Sequence, residues 1–165
     1  MIAFRLSKTL PILLMLIMLL NAEEIATDLS CRICMYMVPV LRTSKSLITS
    51  CRDRLPADLC NAIEKTADTK MPIRYNEAAC TPGFCARYTA ESTCAISIML
   101  MKVAETNKQQ PEEEFEGRLR LSCTQLDFLD PPCNMIVDEY WKQMHELALR
   151  DVPFDEACKQ IGLCP

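Results

Sequence analysis

The residues of this 165-residue chain with the most chemistry to offer are its 11 cysteines. Cys31-x-x-Cys34 has the spacing of a metal-ligand pair or of a redox dithiol. A zinc finger or ribbon needs a second close pair at tetrahedral reach, usually with histidine, and the chain has one His, His145. A thioredoxin-type dithiol needs a strand running into a helix, and that context is missing around Cys31. The remaining use is a disulfide framework made in an oxidising compartment, since a cytosolic chain would keep its thiols reduced. Spacing alone does not choose the connectivity.

Other catalytic chemistry is sparse. No Ser or Cys nucleophile is arranged with His145 by sequence, and neither a phosphate-cradling glycine loop nor a metalloprotease helix motif is present. The expectation is a protein that is not an enzyme and needs no cofactor or metal. His145 follows Trp141 by four residues and Asp138 by seven, so it borders the apolar face of a helix and is a candidate pH switch. Glu112-Glu113-Glu114 reads as a first helical turn, where carboxylates favour the positive end of the dipole. The net charge of −4 lacks any basic stripe with aromatics between its charges, which excludes nucleic acid as a partner and argues against a strongly cationic membrane killer.

Helices must position these residues. Ile136, Val137, Tyr140, Trp141, Met144 and Ala148 recur at three- and four-residue steps after the start signal Asp130-Pro131-Pro132, giving an amphipathic helix with Cys133 at its foot. A short helix comes next, with Pro153 in its first turn, Cys158 inside it and Gly162 at its stop. Upstream, Ser92 is the expected N-cap of a helix running Cys94, Ala95, Ile96, Ile98, Met99, Leu100, Met101, Val103, Ala104, apolar nearly all round up to Lys102. Either its module covers it on every side or part of it faces lipid or a partner. Thr106 to Pro111 breaks it, and Phe115, Leu119, Ser122-Cys123 and Leu126 form the inward face of the next helix. Nearer the N-terminus, Asp28 or Ser30 can cap a helix carrying Ile33, Cys34, Met35, Met37, Val38 and Leu41, which Pro39 should kink or end. Pro56 starts another, with Leu59, Ile63 and Ala67 along one face.

Residues 1–22 read as a secretory signal peptide: Arg5 and Lys8, the apolar run Leu10 to Leu20, then Asn21-Ala22 as the cleavage point. That run is too short to span a bilayer. Its removal leaves 143 residues at net charge −6 and keeps every cysteine. Ten methionines against 3 glycines, in a chain 50% apolar, suit packing against irregular apolar partners. Past the leader, the chain repeats one plan. Ser50-Cys51, eight residues, then Cys60-Asn61-Ala62-Ile63 matches Ser122-Cys123, nine residues, then Cys133-Asn134-Met135-Ile136. Tyr75-Asn76-Glu77-Ala78-Ala79-Cys80 through Cys85 likewise resembles Phe154-Asp155-Glu156-Ala157-Cys158 through Cys164. The expected organisation is a leader, a shortened module over 23–90 with charge +1, and a second module over 91–165 with charge −7.

The Cys-Asn-x-Ile-Val-Asp-Glu-Tyr helix with Cys-Lys-Gln-Ile-Gly-Leu-Cys after it resembles the C-terminal half of a saposin B-type domain. The resemblance implies an all-α fold of disulfide-stapled helical modules, with four to five helices in the C-terminal one. It implies pairing of first with sixth, second with fifth and third with fourth cysteine. The first module would pair Cys31 with Cys85, Cys34 with Cys80 and Cys51 with Cys60; the second would pair Cys94 with Cys158 and Cys123 with Cys133. Glu91 stands where the second module should have its first cysteine, leaving Cys164 as the unpaired candidate: free, joined to a second chain in a homodimer, or displacing Cys31 from Cys85.

The resemblance further implies a clasp that opens to bind, extract or disturb lipid at a membrane surface. Ile96, Met99, Leu100, Val103, Phe115, Leu119, Ile136, Tyr140, Trp141 and Met144 are then the lipid-facing candidates. Acidic charge favours lipid handling or acid-activated permeabilisation over charge-driven killing. The alternatives are a lysosomal hydrolase activator and a secreted interaction module that never meets lipid. Secretion is the expected destination over the lysosome, because no Asn-x-Ser/Thr acceptor is present.

Overall fold

The computed structural model describes residues 29–41, 51–53, 55–68 and 82–165. The leader, Asp28, the Tyr75–Cys80 half of the second repeat and Cys80 lie outside the described residues. The fold is all-α and stapled by disulfides.

Helix α1, residues 29–41, buries Leu29, Ile33, Cys34, Met37, Val38 and Leu41 at helical spacing and continues past Pro39. A 3-10 turn at Cys51–Asp53 leads to α2, Ala57–Asp68, which begins directly after Pro56. The Cys51–Cys60 bridge ties the turn to that helix, with the Cα atoms 5.8 Å apart. Helix α3 spans Pro82–Asn107, 26 residues or about 39 Å at 1.5 Å per residue. After the break at residues 108–111 come α4, Glu112–Cys123, a 3-10 segment at Thr124–Leu129, α5, Asp130–Leu149, and α6, Phe154–Gln160.

Helix α3 is the spine, touching α2, α4, α5 and α6. Its inward stripe, Cys85, Tyr88, Thr89, Ser92, Thr93, Ile96, Ser97, Leu100, Met101 and Ala104, keeps the 3.6-residue period throughout. Ser92 is therefore no N-cap: it is buried in mid-helix, its hydroxyl donating to the Thr89 carbonyl at 3.0 Å. The hydroxyls of Thr89 and Ser97 likewise donate to carbonyls four residues back, at 2.9 and 2.7 Å, so these polar residues sit inside without lost hydrogen bonds. Pro82-Gly83, which the repeat aligns with the end of α6, instead opens α3, because proline is at home in a first helical turn. The helix runs without a break through Ala90–Glu91, where the two modules should meet.

One continuous apolar core draws on all these helices. Helix α1 runs antiparallel to α5: Arg32 Nη1 meets Glu139 Oε1 at 2.7 Å, while Tyr36, further along, has its phenol pushed up by burial and by Asp130 and Asp127. Helices α4 and α5 form a hairpin stapled by Cys123–Cys133, with Arg120 Nη2 reaching Glu116 at 2.6 Å and Asp138 at 2.7 Å. Both α5 and α6 end in the same left-handed turn. Asp151 (φ 54°) takes the position after α5, with Val152 N–H donating to Leu147 O at 3.1 Å. Gly162 (φ 77°) does so after α6, with Leu163 N–H donating to Cys158 O at 2.9 Å.

Candidate functional site

Three places concentrate the residues that the sequence singles out. The first is a groove of about 480 Å³ between α2 and α3, within the usual ~300–1,000 Å³ of small-molecule sites. Its floor is apolar: Leu59 and Ala62 from α2 meet Ala95, Ile98 and Met99 from α3, with Cys94 beside them. The two alanines carry only methyl groups where larger side chains would fill the space between the helices. At one end Lys65 Nζ lies 3.3 Å from Glu91 Oε1. The other end holds Pro56, Asp58 and Lys102, so the two helices run antiparallel along the groove. Lys102 leans over the ring of Phe154, its Nζ 5.3 Å from the centroid. Among the described residues no carboxylate forms an ion pair with Lys102.

The second place is the cysteine cluster where α6 meets α3. Here the structure corrects the expected pairing: Cys94 is joined to Cys164, with Cα atoms 4.7 Å apart, and not to Cys158. The left-handed turn at Gly162 folds the chain end back over α6, so that Cys164 N–H donates to the Cys158 carbonyl at 3.2 Å and presents its sulfur to α3. Cys164 is thereby occupied and is not available to join a second chain. Cys158 is left as a fully buried thiol, pushed up to about 12 by burial, with Asp155 adding to the shift. The Cys51–Cys60 and Cys123–Cys133 pairs are formed. In the N-terminal part Cys31 is disulfide-bonded, but not to Cys85, and Cys34 and Cys85 are both buried in the core. Cys85 lies in the first turn of α3, facing inward, and not in a tail after a closing helix.

The third place is His145. It is half-buried, stacked on Phe115 with ring centroids 4.2 Å apart, and its Nε2 lies 3.0 Å from the Lys108 carbonyl. Lys108 in turn pairs through Nζ with Asp151. These contacts pin the connection between α3 and α4 onto the end of α5.

Most of the lipid-facing candidates are in the core of this conformation. Ile96, Leu100, Phe115, Leu119, Ile136, Tyr140 and Met144 are buried, because the inward stripes of α3, α4 and α5 pack on one another. Met99, Val103 and Trp141 remain half-exposed, and of the ten only Met99 lines the groove. Helix α3 is thus not covered on every side: one side is sealed in the core and the Ala95–Met99 side is open. Leu59, Ala62 and Ala95 were not candidates, since nothing in the sequence states that α2 and α3 lie side by side. Among the described residues no helix is long and apolar enough to cross a membrane. No protein family, curated protein or solved structure matches the chain.

Proposed function

We propose that this is a secreted lipid-binding protein that works at membrane surfaces in the manner of saposin-type domains. The observation that carries the reading is the open apolar groove between α2 and α3, with charged residues at its two ends. Such a site is shaped for an amphiphile, since most of its lining is apolar and, Asn61 apart, its polar side chains are charged. The half-exposed Met99, Val103 and Trp141 add apolar surface near water, and thioether and indole side chains suit a lipid boundary. The fourteen carboxylates of residues 91–165 repel anionic bilayers at neutral pH and do so less in acid, which favours engagement at lysosome-like pH.

Flotation of the oxidised protein with phosphatidylcholine and phosphatidylglycerol vesicles, at neutral and lysosome-like pH, tests the reading. Association under either condition is the expected result, with the phosphatidylglycerol arm stronger in acid than at neutral pH. A protein that stays with the soluble fraction in every arm overturns it in favour of a disulfide-stabilised interaction module. Dye release from the same vesicles then separates permeabilisation from lipid carriage.

A further inference from the structure

We infer that the α2–α3 groove takes one long-chain fatty acid, its carboxylate against Lys102 and its chain laid toward the Lys65–Glu91 pair; this rests on the lipid-binding reading. Four observations converge on that ligand class.

The first is capacity. At roughly 30 Å³ for a water-sized group, 480 Å³ holds about sixteen such groups, enough for one acyl chain and too little for two. Length is the second. Glu91 and Lys102 mark the two ends on α3, and eleven steps along a helix amount to about 16 Å. Third, the surface between them is mainly apolar, built by Leu59, Ala62, Ala95, Ile98 and Met99, with Asn61 the one uncharged polar side chain of the lining. The fourth is charge. At one end the cation and carboxylate already satisfy each other, so that end accepts a methyl terminus without stranding a charge. At the other, the Lys102 ammonium has no ion-pair partner among the described residues and is held in place over Phe154. Asp58 on the same rim disfavours a head group with two negative charges and leaves a single carboxylate as the better match.

This geometry has a quantitative signature. Each methylene added inside the groove should tighten binding about 4-fold, from roughly 0.8 kcal/mol per buried methylene. The gain should stop once the chain outgrows about 16 Å. Partition into a membrane or micelle shows no such plateau.

The test is calorimetric titration of the full oxidised secreted protein with decanoate, laurate, myristate, palmitate and stearate, each below its micelle concentration. Saturable binding of one molecule per chain, tightening and then levelling off along the series, is the expected result. Ala95→Trp fills the floor and should weaken palmitate at least 10-fold. Lys102→Glu, on an exposed side chain, should weaken it about 10-fold without changing the melting temperature, so the test survives if Ala95→Trp fails to fold. Non-saturable uptake, more than one molecule per chain, tightening without a plateau, or an unchanged affinity in Lys102→Glu overturns the inference. Tighter competition by lysophosphatidylcholine than by palmitate also overturns it, in favour of a phospholipid ligand. Vesicle flotation of the same preparation separates the two readings: flotation without saturable fatty-acid binding ends this inference alone, and loss of both ends both.

Discussion

Removing the bond between Cys94 and Cys164 should be the most damaging disulfide deletion in the C-terminal half of the protein. The bridge closes a separation of 70 residues, against 10 for Cys123–Cys133. In the loop-closure description the unfolded chain without the longer bridge gains entropy worth about 4 kcal/mol, and without the shorter one about 3 kcal/mol. The clean perturbation is the double substitution Cys94→Ala/Cys164→Ala, which leaves no orphan sulfur to pair with the Cys158 thiol. Urea unfolding under non-reducing conditions should show a loss of about 4 kcal/mol, a large fraction of the roughly 5–15 kcal/mol that holds a domain folded. The pairing itself is open to direct mapping, because trypsin cuts after Lys159 and separates the two C-terminal cysteines. Cys158 then travels in peptide 151–159, Cys164 in 160–165 and Cys94 in 88–102. The oxidised protein should yield 88–102 linked to 160–165. Finding 88–102 linked to 151–159 instead, or a loss below about 1 kcal/mol, refutes the reasoning.

The remaining predictions concern the surroundings of that bridge. Cys158 in the folded protein should react with iodoacetamide at pH 8 about 10³-fold more slowly than in the unfolded chain, from the raised pKa alone; peptide mapping after timed quenching reads this. The folded thiol ionises only near 12, so its contribution to stability is complete below the unfolded value near 9 and is lost as pH rises from there. Unfolding midpoints measured upward from pH 8 should fall accordingly. Phe115→Ala removes a fully buried ring that also stacks on His145 and should cost about 3–5 kcal/mol in urea unfolding; a cost under 1 kcal/mol would contradict its place in the core. Asp151→Val forces a branched side chain into the left-handed region and should cost about 1–2 kcal/mol, whereas Asp151→Gly should change thermal stability by no more than about 1 kcal/mol.

How much the sequence revealed depends on how local each signal is. The buried face of α5, with Ile136, Val137, Tyr140, Met144 and Ala148, was legible because a helix displays its period within a few turns. So were the inward Phe115 and Leu119 of α4 and the starts at Pro56 and Asp130. The first half of α3 was not legible. Thr89, Ser92 and Thr93 look like capping or surface residues; Thr89 and Ser92 are buried with their hydroxyls bonded within their own helix, while the buried Thr93 hydroxyl has no partner among the described residues, and tertiary packing decides all three. The exchange of Cys158 for Cys164 was hidden for a different reason. The two lie six residues apart, Cys158 inside α6 and Cys164 past its end, and the left-handed turn at Gly162 brings the second sulfur to Cys94. The groove needs knowledge of which helices are neighbours, and small residues such as Ala62 and Ala95 advertise nothing until a second helix is set against them.

The unbroken passage of α3 from Cys85 to Ala104 bears on how the protein can be processed. A protease needs several residues in extended form, and a helix interior packed on one side by core and on another by α2 does not offer them. A cut between Ala90 and Glu91 would also sever the spine on both sides of which the core is built. The two halves of the repeat therefore share one continuous rod, and in the folded protein a cut at their junction is disfavoured.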